Sequence, residues 1–254
     1  MPNFSTHMGI AKDASDRLGH PIIDQHIGSY LLGCVSPDIR IITKGKRQET
    51  HFVQLDFKVA GEGIKGLFES NPDLSISASL NDQTKAFILG YASHLLADEL
   101  WITEMYRPYF GNRDIFPDKL RGDLMDRALQ LELDRQTQKT LGGLKVLSPL
   151  VVDAESGVDV GFITTDSLNE WRHWVEGALS WDFTWDRLRN MTRRINSEGD
   201  SESAERISRM VDTFLSSVTE GLDSIYSVVP KQKIHDFREH SIEELLKFGR
   251  GYIT

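Results

Sequence analysis

Apolar residues recur at helical spacing along most of this chain, and a single segment departs from that period. Ser5 or Thr6 reads as the cap of a first helix that runs to about Leu18 and ends at Gly19 and Pro21. A second apolar helix spans Ile22 to Gly33 and stops before Ser36-Pro37-Asp38, where the Ser-Pro step disfavours helical backbone. Lys44-Gly-Lys-Arg47 reads as an exposed basic loop. A short helix is expected after His51, and another from about Asp56 to Glu69. Asn81 or Asp82 opens the most apolar helical stretch of the chain. The next helix runs from about Pro117 to Thr140, with Leu124, Ala128, Leu131 and Leu133 facing inward.

Leu144 to Thr165 is the exception. It is rich in Val, Ile, Gly and Pro and reads as a long loop or a small hairpin around Ala154-Glu-Ser-Gly157. Helices resume at Asp166 or Ser167, again near Trp181, and in a long segment from about Ser201 to Val228. Ser241-Ile-Glu-Glu244 has the capping-box pattern and predicts a last helix to Phe248. Asn196 to Ser203 reads as a solvated linker, and there is no internal repeat. The pattern predicts an all-α fold, a compact multi-helix domain over residues 1–254.

Composition narrows the setting. An apolar content of 39% with 26% charged residues describes an ordinary globular protein, and the apolar runs are too short and interrupted for a transmembrane span. The single Cys34 rules out an internal disulfide, and Met1 to His7 lacks the regions of a signal peptide, so a cytoplasmic location is expected. The net charge of −9 disfavours nucleic acid and anionic membranes as partners. A phosphate-bearing substrate would then need bound metal ions as its local positive charge.

The most apolar helix holds two residues that do not suit an apolar seam. His94 and Asp98 are four apart and stack on one helix face, where an unpaired buried carboxylate is costly. A divalent metal would satisfy both. His7, His26 and His51 together with Asp38 and Asp56 are the accompanying ligand candidates. Imidazole and carboxylate donors suit zinc, and also manganese or ferrous iron. A bridging carboxylate can hold two ions that clamp a phosphoryl group. Gly90, one turn before His94 on the same face, allows another backbone to approach closely.

Four motifs then follow in order: Thr6-His7-Met-Gly-Ile-Ala, Leu32-Gly-Cys-Val-Ser-Pro-Asp38, His51-Phe52, and Gly90-Tyr-Ala-Ser-His94-Leu-Leu-Ala-Asp98. Together they make roughly the first 105 residues resemble the zinc-dependent phospholipase C family, whose superfamily includes single-strand-specific zinc nucleases. The resemblance implies one metal site from Asp38, His51, His94 and Asp98. It implies a second that Asp98 bridges to and that also uses His7. It further implies attack on phosphorus by metal-bound hydroxide, with Asp38 as general base.

The chain also departs from that family. Secreted members use a processed N-terminal tryptophan as a ligand, whereas this chain begins Met-Pro-Asn-Phe. The family's later histidines are missing, since none occurs between His94 and His173. Glu99, Glu104, Asp123 and Asp126 are the carboxylates available as substitutes. A reduced centre of one or two ions in a divergent intracellular branch is therefore expected.

The remaining features have simpler readings. His26 reads as a satisfied helix histidine, Asp56 as a helix cap, Cys34 as a buried inert thiol and His235-Asp236 as a surface doublet. Trp171, Trp174, Trp181 and Trp185 read as core packing rather than a membrane anchor. The Lys44–Arg47 loop reads as a solvated turn, with attraction of a phosphate as the alternative. The expected activity is metal-dependent hydrolysis of phosphoesters, phosphodiesters above all, with a small phosphoester or a phospholipid headgroup as partner and no stable membrane insertion. A metallohydrolase of another bond and a helical interaction module with a structural metal are the alternatives.

Overall fold

The computed structural model describes residues 1–193 and 201–253. Its helices are α1 (Phe4–Leu18), α2 (Pro21–Gln25), α3 (Ile27–Gly33), α4 (Arg40–Thr43), α5 (Gln48–His51), α6 (Glu62–Ser70) and α7 (Asp82–Leu100). After a π-helical stretch, Trp101–Phe110, come α8 (Lys119–Leu141), α9 (Thr165–Leu179), α10 (Arg187–Arg193), α11 (Ser201–Ser216), α12 (Val218–Tyr226) and α13 (Lys231–Tyr252). No strand occurs among the described residues, so the fold is all-α as expected. No described helix is long and apolar enough to cross a membrane.

Helix α7 is the axis of the molecule. Asn81 caps it by accepting the Thr84 N–H at 2.8 Å, and every residue from Ala86 to Leu100 is buried. A helix apolar on all sides must be enclosed by others. Here α3, α13, α1, α6 and α2 surround it, and α8 forms an outer wall against α1 and α10 to α12.

Two glycines set the closest of these contacts. A Cβ at Gly90 would overlap the Tyr30 carbonyl oxygen, and one at Gly33 would overlap the Phe87 carbonyl oxygen. The backbones of α3 and α7 therefore touch, as the placement of Gly90 predicts.

Helix α1 is anchored from far along the chain. Ser5 and Thr6 are not caps, because both lie inside the helix and are buried. Instead Asp134 of α8 accepts the Thr6 N–H at 3.0 Å and the Thr6 hydroxyl at 2.9 Å. A carboxylate at a helix N-terminus matches both the orphan donors and the dipole. Burial pushes the Asp134 carboxyl up to about 6, against the lowering effects of Arg187 and Thr6.

Several boundaries differ from the sequence reading. The second helix is broken at His26, whose backbone leaves the helical region at φ −120° and ψ 37°. No helix follows His51; α5 ends there, Phe52 is left-handed, and the turns that follow delay α6 to Glu62, leaving Asp56 exposed and uncapping. The segment from Leu144 is a 3-10 turn to Leu150 and then a loop, so the hairpin does not form. That loop delivers Phe162 edge-on to Phe52 at 5.2 Å and to Tyr91 at 5.5 Å. Near Trp181 the chain turns, and the helix begins at Arg187. The long C-terminal helix is interrupted at Ser217, and Ser241 lies inside α13 with its hydroxyl on the Phe237 carbonyl. Of the expected linker, residues 196–200 fall outside the described residues, and Ser201 onward is helical.

Gly90→Ala should force α3 and α7 apart and cost about 3 kcal/mol in a urea unfolding experiment, the upper part of the range for overpacking.

Candidate metal centre

Five of the sequence-derived residues converge where α1, the turn after α3, α5 and α7 meet. His7 comes from α1, Asp38 from the 3-10 turn Ser36–Ile39, His51 from the end of α5, and His94 and Asp98 from α7. The donor atoms of His7, His94 and Asp98 lie within 4.8 Å of one another, and so do those of Asp38, His51 and His94. His94 thus stands in both groups, where the family resemblance gives the shared place to Asp98. His26 is not among them; it sits half-buried at the break between α2 and α3.

Asp98 is the hub. Its Oδ1 lies 3.4 Å from His7 Nε2, and its Oδ2 lies 3.3 Å from His51 Nε2 and 3.7 Å from His94 Nε2. The His7 and His94 rings stack at 3.8 Å with planes 7° apart, and His51 meets His94 edge-on at 5.3 Å. Burial, helped by the stacked His7, holds His94 well below the ordinary imidazole value and therefore neutral.

The hydrogen bonds behind the rings fix their tautomers. His94 Nδ1 lies 3.0 Å from the Cys34 carbonyl oxygen, which only accepts, so Nδ1 carries the proton. The Thr50 hydroxyl donates to the Arg47 carbonyl at 3.2 Å, so at 3.1 Å it must accept from His51 Nδ1. In turn the Tyr91 hydroxyl donates to the Thr50 carbonyl. In the neutral His94 the Nε2 lone pair is then left facing the Asp98 carboxylate, and His51 Nε2 lies beside the same oxygen. Acceptors facing acceptors repel unless a cation lies between them. His51 Nε2, both His7 nitrogens and Asp98 Oδ1 are buried without a hydrogen-bond partner. The residues present therefore fit a divalent ion: imidazole and carboxylate donors, held by hydrogen bonds from behind, with orphaned atoms converging.

One cation is already there. Arg47, read from the sequence as part of a solvated turn, places its guanidinium 3.3 Å from Asp98 Oδ2. The signal for it was its spacing, one helical turn before His51.

The four substitute carboxylates are committed elsewhere. Glu99 accepts the N–H groups of Gly61 and Gly63 at 2.5 and 2.6 Å, capping α6. Burial outweighs these bonds and pushes its carboxyl up to about 7. Glu104 accepts from His240 Nδ1 at 2.6 Å. Asp123 accepts from Tyr106 and Lys119, and Asp126 from Trp101 and Gln130. Cys34 is buried against Met8 and the Leu31 carbonyl, and burial pushes its thiol up, as an inert thiol requires. His235 is exposed on α13, and Asp236 pairs with Lys233.

His7, Asp38, His94 and Asp98 of the cluster line a cleft of roughly 450 Å³. The aromatic residues expected in the core divide here. Trp171 is fully buried, yet with Trp174 and the half-exposed Trp181 it lines the cleft.

The fold and site define an all-helical protein with a buried histidine–carboxylate centre at the base of a cleft. Residues 6–101 match the family model described as Zinc dependent phospholipase C, which bears out the resemblance read from the sequence. Comparison with curated proteins and with solved structures gives no match. The family match and the cluster together support a metal-dependent, phospholipase-like hydrolase.

Because Arg47 compensates a buried carboxylate, Arg47→Met should lower metal-free stability by about 2 kcal/mol, the scale of a hydrogen bond to a charged group. Urea midpoints without and with added zinc check this, and zinc should recover most of the loss.

Proposed function

We propose that the chain is a metal-dependent phosphoester hydrolase acting on phosphodiesters. In this reading His7, Asp38, His51, His94 and Asp98 hold one or two divalent ions, zinc before manganese or ferrous iron. The observation that carries it is the convergence on Asp98 of three buried imidazoles, with His51 Nε2, both His7 nitrogens and Asp98 Oδ1 lacking any hydrogen-bond partner. When bound, the metal supplies Lewis acidity toward the phosphoryl group and makes water acidic near neutral pH. The protein's own residues do the rest. The Cys34 carbonyl and the Thr50 hydroxyl hold two imidazoles in the ligating tautomer. Arg47 steadies Asp98 through its guanidinium, 3.3 Å from Oδ2.

Asp38 has a different place from the other four. Its side chain is 37% exposed, against 2% or less for His7, His51, His94 and Asp98. It lines the cleft, where a carboxylate can take a proton from an attacking water. A centre that borders the cleft, with its most exposed carboxylate there, favours catalysis over a purely structural metal. The single buried Cys34 agrees with a reducing, cytoplasmic setting.

Asp98→Asn should lose both bound metal and phosphodiester turnover while its circular dichroism stays unchanged. Asp38→Asn should keep most of the metal and lose turnover by about 100-fold or more, the usual scale for a positioned base. Elemental analysis and a chromogenic phosphodiester assay on the same samples check both. Undiminished turnover in Asp98→Asn or in chelator-treated protein would overturn the reading.

A further inference from the structure

The cleft above the cluster is walled largely by residues outside the matched segment. Trp171 and Trp174 stack at 4.6 Å with planes 6° apart, and Trp181 meets Trp174 edge-on at 5.4 Å. Arg40, Arg127 and Arg187 share this lining with the carboxylates of Asp38 and Asp98. In a chain of net charge −9, a cleft in which guanidinium groups outnumber carboxylates reverses the local sign. Arg40 leans on Asp38 at 3.9 Å and Arg187 on Asp134 at 3.7 Å. Arg127 has no ion pair among the described residues, and donates instead to Gln130 Oε1 at 2.8 Å.

The buried atoms without partners make a second, independent observation. Outside the metal cluster, the cleft residues Asn3, Arg40 and Trp171 each have a buried donor, Nδ2, Nε and Nε1, without a hydrogen-bond partner. Buried donors are normally satisfied, so what fills this cleft should bring acceptor oxygens. A quaternary ammonium brings none. Tryptophan faces attract cations, yet such a headgroup here would meet three guanidinium groups.

We propose that the cleft is a substrate subsite for an acceptor-rich, non-cationic alcohol group of a phosphodiester, a polyol phosphate ester, and that it discriminates against choline-type headgroups. Oxygen atoms of the polyol and of the phosphate take the free donors, Arg127 faces the anionic charge, and the tryptophans form a flat wall for the carbon skeleton. The proposal rests on the phosphoester reading of the adjacent cluster.

The test uses zinc-loaded full-length protein and two chromogenic diesters that share a leaving group, p-nitrophenyl inositol phosphate and p-nitrophenyl phosphorylcholine. Binding of inositol 1-phosphate and of phosphorylcholine is followed in parallel by tryptophan fluorescence. Wild-type kcat/KM should favour the inositol ester by about tenfold or more, and Arg127→Gln should bring the ratio near parity, the effect of one charge-assisted hydrogen bond. Trp181→Ala, at an exposed position, should weaken the binding of inositol 1-phosphate and reduce the fluorescence response. Equal or better turnover of the choline ester would overturn the proposal while leaving the hydrolase reading intact, as would a ratio unchanged in Arg127→Gln. If neither ester turns over but inositol 1-phosphate binds tenfold more tightly than phosphorylcholine in an Arg127-dependent way, the subsite stands and the hydrolase reading falls. Binding of neither ligand overturns the subsite.

Discussion

The contact on which everything else depends is backbone against backbone, where α3 lies on α7 at Gly33 and Gly90. With no side chain between them, the end of α3 is brought to the level of His94. The Cys34 carbonyl, just beyond that end, then reaches His94 Nδ1, and the following turn carries Asp38 to the same place. A methyl group at either glycine would displace the acceptor that sets one imidazole and the carboxylate that opens the centre to solvent. Packing and chemistry are here the same contact.

Charge is handled with equal economy. A carboxylate buried among imidazole rings is costly by itself, and the molecule answers with one guanidinium and with partnerless donor atoms placed to hold a further cation. Both tautomers are set by acceptors on the chain a few residues from other members of the cluster. Cys34 lies four before Asp38, and Thr50 adjoins His51. The short motifs therefore specify the support of the ligands as well as the ligands.

Much of this was legible in the sequence, for identifiable reasons. The long helices α1, α7 and α8 follow from periodicity, His94 and Asp98 stand out as polar residues in an apolar seam, and the family resemblance selected His7, Asp38 and His51 to join them. Gly90 announced a close approach. What was not legible depends on partners distant in the chain. Ser5 and Thr6 look like caps locally, but the acceptor for Thr6 is Asp134, on α8. Ser241 sits in a capping-box pattern that α13 simply runs through. Arg47 reads as solvated because its partner is on another helix. Of the tryptophans read as core packing, Trp171 is buried and Trp181 half-exposed, and only the fold shows that with Trp174 they make one wall of the cleft.

The Thr6–Asp134 contact has a further consequence for how such a centre can be inherited. His7 is the residue after Thr6, so its position is held by a carboxylate on α8, well beyond the matched segment at residues 6–101. That segment contains every proposed ligand, yet transplanted alone it would leave the start of α1 without its anchor. Changes on α8 can accordingly retune the centre without altering any ligand, which lets a lineage vary the reactivity of the site while its recognisable motifs stay constant.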